Sequence, residues 1–163
     1  MASAFYRLYG RRIMCPANEI IARGGVAVDL LADTIAVVFA NITVPGANLY
    51  TFSQTHNMFD DLLPTTAIFG DGGPNIPYGG GEPLLNPSVS VASVFDADDT
   101  IMTGVQDGIG VTAEGEALII YKIGGAANTS PLIAFIDSFA PITFNDGNVT
   151  IQWNAAGIFQ LIP

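Results

Sequence analysis

From residue 34 onward the apolar positions come in short runs rich in Val, Ile and Phe. Gly, Pro, Asn and Asp separate them, which is the punctuation of strands and turns. "TIAVVFANI" (34–42), "EALIIYKI" (116–123) and "PLIAFID" (131–137) are apolar on both faces and predict central strands covered on two sides. "SVSVASVF" (88–95) starts with alternation that places Ser88 and Ser90 outward and Val89 and Val91 inward. "ITF" (142–144) and "NVTIQW" (148–153) flank Asp146-Gly147, a hairpin signal, with Val149, Ile151 and Trp153 on one face. "GIFQLIP" adds a last strand-like run. Helical pattern is scarce: one turn at "PANEII" (16–21) and a short helix over "HNMFDDLLP" (56–64), closed by Pro64. The expected fold is all-β, an antiparallel sandwich or barrel with one or two short helices. Its core is expected to hold Val37, Phe39, Ile119, Tyr121, Ile133, Phe135, Ile151 and Trp153.

Two segments depart from this pattern. "GDGGPNIPYGGGEP" (70–83) holds six Gly and three Pro, too many for a central strand, and reads as a long irregular loop. Residues 1–23 mix aromatics with arginines without a period and read as an extended N-terminal arm; residues 24–163 form the single β domain.

Composition sharpens the contrast. Half of the 163 residues are hydrophobic and 12% are charged, about half the usual charged share of a soluble domain. Such a chain is expected to bury surface against partners as well as inside itself. The arm carries Arg7, Arg11, Arg12 and Arg23 against Glu19, a net of +3, while residues 24–163 carry Lys122 against 14 acids, a net of −13. The total of −10 argues against direct nucleic-acid binding, since nothing could neutralise a run of phosphates. No apolar run reaches the length of a bilayer span, and the arm lacks the layout of a signal peptide. The lone Cys15 excludes an internal disulfide and fits a reducing cytosol.

Candidate chemistry is thin. In "FDADDTIM" (95–102), Asp96, Asp98 and Asp99 invite a calcium reading. Counted from Asp96 as an EF-hand, the sixth position is Ile101 rather than Gly and the twelfth is Asp107 rather than Glu. A turn whose carboxylates accept nearby backbone N–H groups is the better reading. Asp60/Asp61, the 96–99 cluster and Glu114/Glu116 could supply paired carboxylates for glycoside hydrolysis, but adjacent acids in so acidic a chain read as solvated turns. His56 stands alone, and no Gly-x-Ser-x-Gly elbow supports a triad. No enzyme activity, metal or cofactor is expected. Trp153 alternates in step with Val149 and Ile151, which favours the core over a sugar-stacking face.

Four stretches carry a resemblance: "GGVAVDLLADTIAVVF" (24–39), "FDADDTIM" (95–102), "ALIIYKIGGAANTSPLIAFID" (117–137) and "VTIQWNAAGIFQL" (149–161), with weaker matches at "HNMFDDLL" and "PYGGGEPL". In type and order they resemble a family of small tailed-bacteriophage virion proteins. Ala36 stands where such proteins often have Lys, Phe135 where they have Tyr, and the 70–83 and 104–116 segments look longer. The resemblance implies a structural protein of the virion, made in the host cytoplasm. The favoured role is a capsid decoration (cement) protein, with the major capsid protein or other virion proteins as partners and copies of itself around a symmetry axis. A tail, baseplate or fibre component is the alternative, and a carbohydrate-binding module the third reading. Phe5, Tyr6, Arg7, Tyr9, Arg11 and Arg12 of the arm, with Ile76 and Tyr78 of the glycine-rich loop, are the expected interface residues, because aromatics and arginines dominate interface energetics.

Overall fold

The computed structural model describes residues 4–5, 28–43, 49–53, 55–63, 65–74, 78–90, 94–106 and 114–160, with backbone alone at 4–5, 73–74 and 160. The early strands are β1 (Ala4–Phe5), β2 (Ile35–Ala40), β3 (Ile68–Gly70), β4 (Gly73–Pro74) and β5 (Glu82–Pro83). Next come β6 (Ser88–Val89), β7 (Val94–Asp96), β8 (Thr100–Met102), β9 (Glu114–Gly115) and β10 (Ala117–Lys122). β11 (Leu132–Ile136), β12 (Ile142–Thr143), β13 (Val149–Ile151) and β14 (Phe159–Gln160) complete the set. The protein is mostly β, with antiparallel pairing in every sheet, and the described residues contain three 3₁₀ turns and no α-helix.

A seven-stranded sheet forms the centre, in the order β1-β11-β10-β2-β3-β4, with β5 also on β2. All six residues of β2 are buried, as are the first five of β10 and the first four of β11. These are the runs whose apolar residues show no alternation, and the reason is now visible: both faces of the sheet are covered. On one face Ile35, Val37, Phe39, Leu118, Ile120 and Ile133 pack against Phe95, Met102, Phe144 and Ile151. The small sheets β14-β7-β6, β13-β8 and β12-β9 supply most of that cover. On the other face the β2 residues are small, Ala36, Val38 and Ala40, which leaves room for Tyr50, Phe59, Tyr121 and Phe135. Between β10 and β11 the register skips a residue: Ile120 faces Ala134 and Tyr121 faces Leu132. Ile133 is the extra residue of a β-bulge, so Ile133 and Ala134 both serve the first core.

Several sequence expectations need correction. The helix over 56–64 is a single 3₁₀ turn at Phe59–Asp61. The Asp61 carboxylate accepts the N–H groups of Asn57 and Met58, and backbone bonds from Phe59 to Ser130 and from Leu132 to Asn57 tie the segment beside β11. The helical turn at 16–21 lies outside the described residues. The Asp146-Gly147 turn exists, with Asp146 at φ +62°, but it closes no hairpin: β12 pairs with β9 and β13 with β8. The turn docks on Val105 instead, through Val105 N–H to the Gly147 carbonyl and Asp146 N–H to the Val105 carbonyl. β6 has both residues exposed, so Val89 faces outward rather than inward. The 70–83 segment is irregular only in part, since its two ends form β4 and β5, and Pro83 pairs opposite Ala36. The other expected core residues are buried as read, and Trp153 is half-buried.

Candidate functional site

The "FDADDT" segment is a corner between two sheets. β7 pairs with β6 and β14 while β8 pairs with β13, so the chain changes layers between Asp96 and Thr100. The three carboxylates diverge. Asp96 accepts the Ala97 N–H at 3.0 Å, Asp98 accepts the Asn86 side-chain amide at 2.6 Å, and Asp99 accepts the backbone N–H of Trp153 at 3.0 Å. Thr100, buried, accepts the indole N–H of Trp153 at 3.1 Å. The turn reading of this stretch therefore holds for Asp96 locally, while Asp99 and Thr100 serve a residue more than fifty positions away. Among the described residues no three of His, Cys, Asp and Glu come together as metal ligands would.

Fixing Trp153 by both its backbone and its indole nitrogen shapes the adjacent surface. A half-open groove of about 520 Å³ runs between the main sheet and the segment after β13. Phe39, Leu118 and Ile151 line it from the core, Phe139 and Ile142 from the stretch after β11, and Trp153 from the other side. Its polar lining consists of Ser138, Thr150, Gln152 and Asn154. Gly157, at φ +96°, also lines it. A Cβ there would stand 2.1 Å from the Val94 side chain, so only glycine lets this wall close on β7.

Two carboxyl groups meet elsewhere. Asp71, in the turn between β3 and β4, accepts the Thr103 N–H at 2.6 Å, and Gly72 N–H returns a bond to the Thr103 carbonyl. Glu82 of β5 lies against Asp71. Burial, a hydrogen bond to Asp71 and repulsion from its charge push Glu82 up to about 7, from 4.5. The protonated form is therefore the one the fold prefers. A pKa raised in the folded state gives stability that is complete below about pH 4.5 and lost as pH rises through about 7. Glu82 is half-buried, so solvent screening lowers the linked energy to about 1–2 kcal/mol. Glu82→Gln is expected to match the parent protein near pH 5 and to melt at higher temperature than it at pH 8. Parallel melting profiles of the two proteins across that range would refute the shared proton.

Of the expected interface residues, Tyr6, Arg7, Tyr9, Arg11, Arg12 and Ile76 lie outside the described residues. Phe5 contributes backbone to β1, opposite Ala134 at the edge of β11. Tyr78 is a brace: its hydroxyl donates to the Gly125 carbonyl at 2.8 Å, and its own carbonyl accepts the Tyr121 hydroxyl at 2.7 Å. Burial pushes the Tyr121 hydroxyl far above its ordinary range, so it stays a donor. His56 bonds through Nδ1 to the Tyr50 hydroxyl at 2.9 Å. Glu116, read as one of a pair of acids with Glu114, is buried, and its carboxylate accepts the N–H groups of Ile42 and Thr43 at 2.7 and 2.6 Å and the Thr43 hydroxyl. Glu114 meets the Thr143 hydroxyl instead.

No family model matches the sequence, and no curated protein matches it.

Proposed function

We propose that this chain is a non-enzymatic structural protein of a tailed-bacteriophage virion, a decoration protein that binds and stabilises the head shell. The observation that carries this reading is where the four family-like stretches fall. They supply β2, the Asp96–Thr100 corner, β10 with β11, and β13 with Trp153 and β14, the middle of the central sheet and part of its cover. Of the departures, the longer 70–83 and 104–116 segments lie between those parts in the sequence, the basic arm precedes them, and Ala36 and Phe135 lie within β2 and β11.

Two further features support a binding rather than a catalytic role. Asp61, Asp99 and Glu116 are occupied with backbone N–H groups, and His56 with Tyr50. Lys122, the one Lys or Arg after Arg23, is engaged by Asp33 at 2.8 Å. The arginines of the arm are then the cations this chain can offer an acidic neighbour. The arm also contributes a strand to the edge of β11, and a segment that joins one sheet edge can join another copy's by the same hydrogen bonds. The partners proposed are the major capsid protein and further copies of this chain.

Quantitative gels of purified particles test the location. Copies in the hundreds per virion are expected, and a handful would replace the head reading with a tail, baseplate or fibre component. Deleting residues 2–12 tests the arm. The truncated chain is expected to fold as a β domain by circular dichroism yet lose its occupancy on particles. Undiminished occupancy at raised salt would remove the arm from the interface.

A further inference from the structure

We propose that the groove beside Trp153 binds a neutral saccharide. This goes beyond the virion reading and does not rest on it. The volume of about 520 Å³ lies in the range of small-ligand sites. Charge restricts the ligand further. The part of the chain after residue 23 carries a net of −13, yet among the described residues none that lines the groove is charged. Among the described residues a cationic ligand would find no carboxylate on the lining and an anionic one no counter-ion, in a chain that is acidic after residue 23. A neutral ligand meets neither obstacle.

The polar lining narrows the class. Thr150, Gln152, Asn154 and Ser138 bring polar residues to a lining that is otherwise apolar. A fully apolar guest such as an acyl chain would cover those groups without hydrogen-bonding them, at a desolvation cost. A sugar ring satisfies both kinds of surface: its C–H face lies on an aromatic ring and its hydroxyls exchange hydrogen bonds with amides. The indole is also held before any ligand arrives. Asp99 fixes the Trp153 backbone and Thr100 its Nε1, so the ring loses little freedom on binding. Thr150 and Gln152 are exposed on the outward positions of the strand and its extension, which leaves them accessible to solutes.

Trp153 is the protein's only tryptophan, so its emission reports the site directly. The full chain is titrated with cello-, xylo-, malto-, manno- and chito-hexaose up to about 10 mM, the weak-affinity limit for a shallow groove. At least one is expected to change the emission saturably, with the same midpoint at low and high salt because no charge is neutralised. Gln152→Ala, at an exposed position, is expected to keep the melting temperature and weaken binding by about fivefold to tenfold. Trp153→Phe, followed by calorimetry, is expected to weaken it further. The proposal fails if no hexaose perturbs Trp153. It fails equally if Gln152→Ala binds as well as the parent, or if a neutral detergent saturates the groove and the sugars do not.

Discussion

Phe135→Ala is expected to destabilise the protein by about 3–5 kcal/mol, the range for emptying a large buried ring. Phe135 is 4% exposed and sits near the middle of β11. It stacks on Phe52 at 4.6 Å between centroids and leans on Tyr50 at 6.2 Å. Both neighbours come from the 50–53 segment, which covers the small-residue face of the central sheet. The residue opposite it on β10 is Ile119, already packed in the same cluster with Tyr121 and Leu132, so little is free to fill the space. Phe135→Tyr should be far milder, since the ring is kept. Urea unfolding, with an unchanged dependence on denaturant, is the measurement. A loss below about 1 kcal/mol would mean that the 50–53 cover is loosely held.

Glu116→Ala is expected to cost nearly as much, about 3–4 kcal/mol. The carboxylate is 6% exposed and accepts three donors at the point where the chain leaves β2. Truncation leaves the Ile42 and Thr43 N–H groups without their acceptor, and hydrogen bonds to a charged group are the stronger kind. Glu116→Gln separates charge from geometry. Its amide oxygen can still accept both N–H groups and its NH₂ can donate to the Thr43 hydroxyl, so a loss of about 1 kcal/mol is expected. Equal losses in the two variants would mean that charge, rather than the lost acceptor, holds the clamp.

These two residues also show what a sequence can and cannot reveal. Phe135 was readable as core because β11 is apolar on both faces, which happens only when a strand is covered twice. Glu116 was not, because its partners lie more than seventy residues away and nothing in "EGEALII" distinguishes a clamp from a solvated acid. The same reach explains the misread hairpin. Asp-Gly specifies a local turn, but Ile142–Thr143 and Val149–Ile151 each find a better partner in β9 and β8. Val89 fails for a different reason: alternation predicts a half-covered strand, and β6 lies at the outer edge of a three-stranded sheet with both its residues exposed. For the groove, the sequence marks Trp153 but not the gap beside it. That gap depends on where the segment after β13 settles relative to Phe39 and Phe139.

The pairing of β13 with β8 and of β14 with β7 has a consequence in time. During synthesis the central sheet can assemble once β11 has emerged, but β13 and β14, which complete the small sheets over one of its faces, come only with residues 149–160. Until then the cover over Val37, Phe39 and Ile120 lacks Ile151, on a nascent chain that is half hydrophobic. Such late, long-range closure folds slowly, and the waiting intermediate is the species most prone to aggregate. Yield in a recombinant host should then rise with slower translation or lower temperature more than with any change to the finished protein's stability.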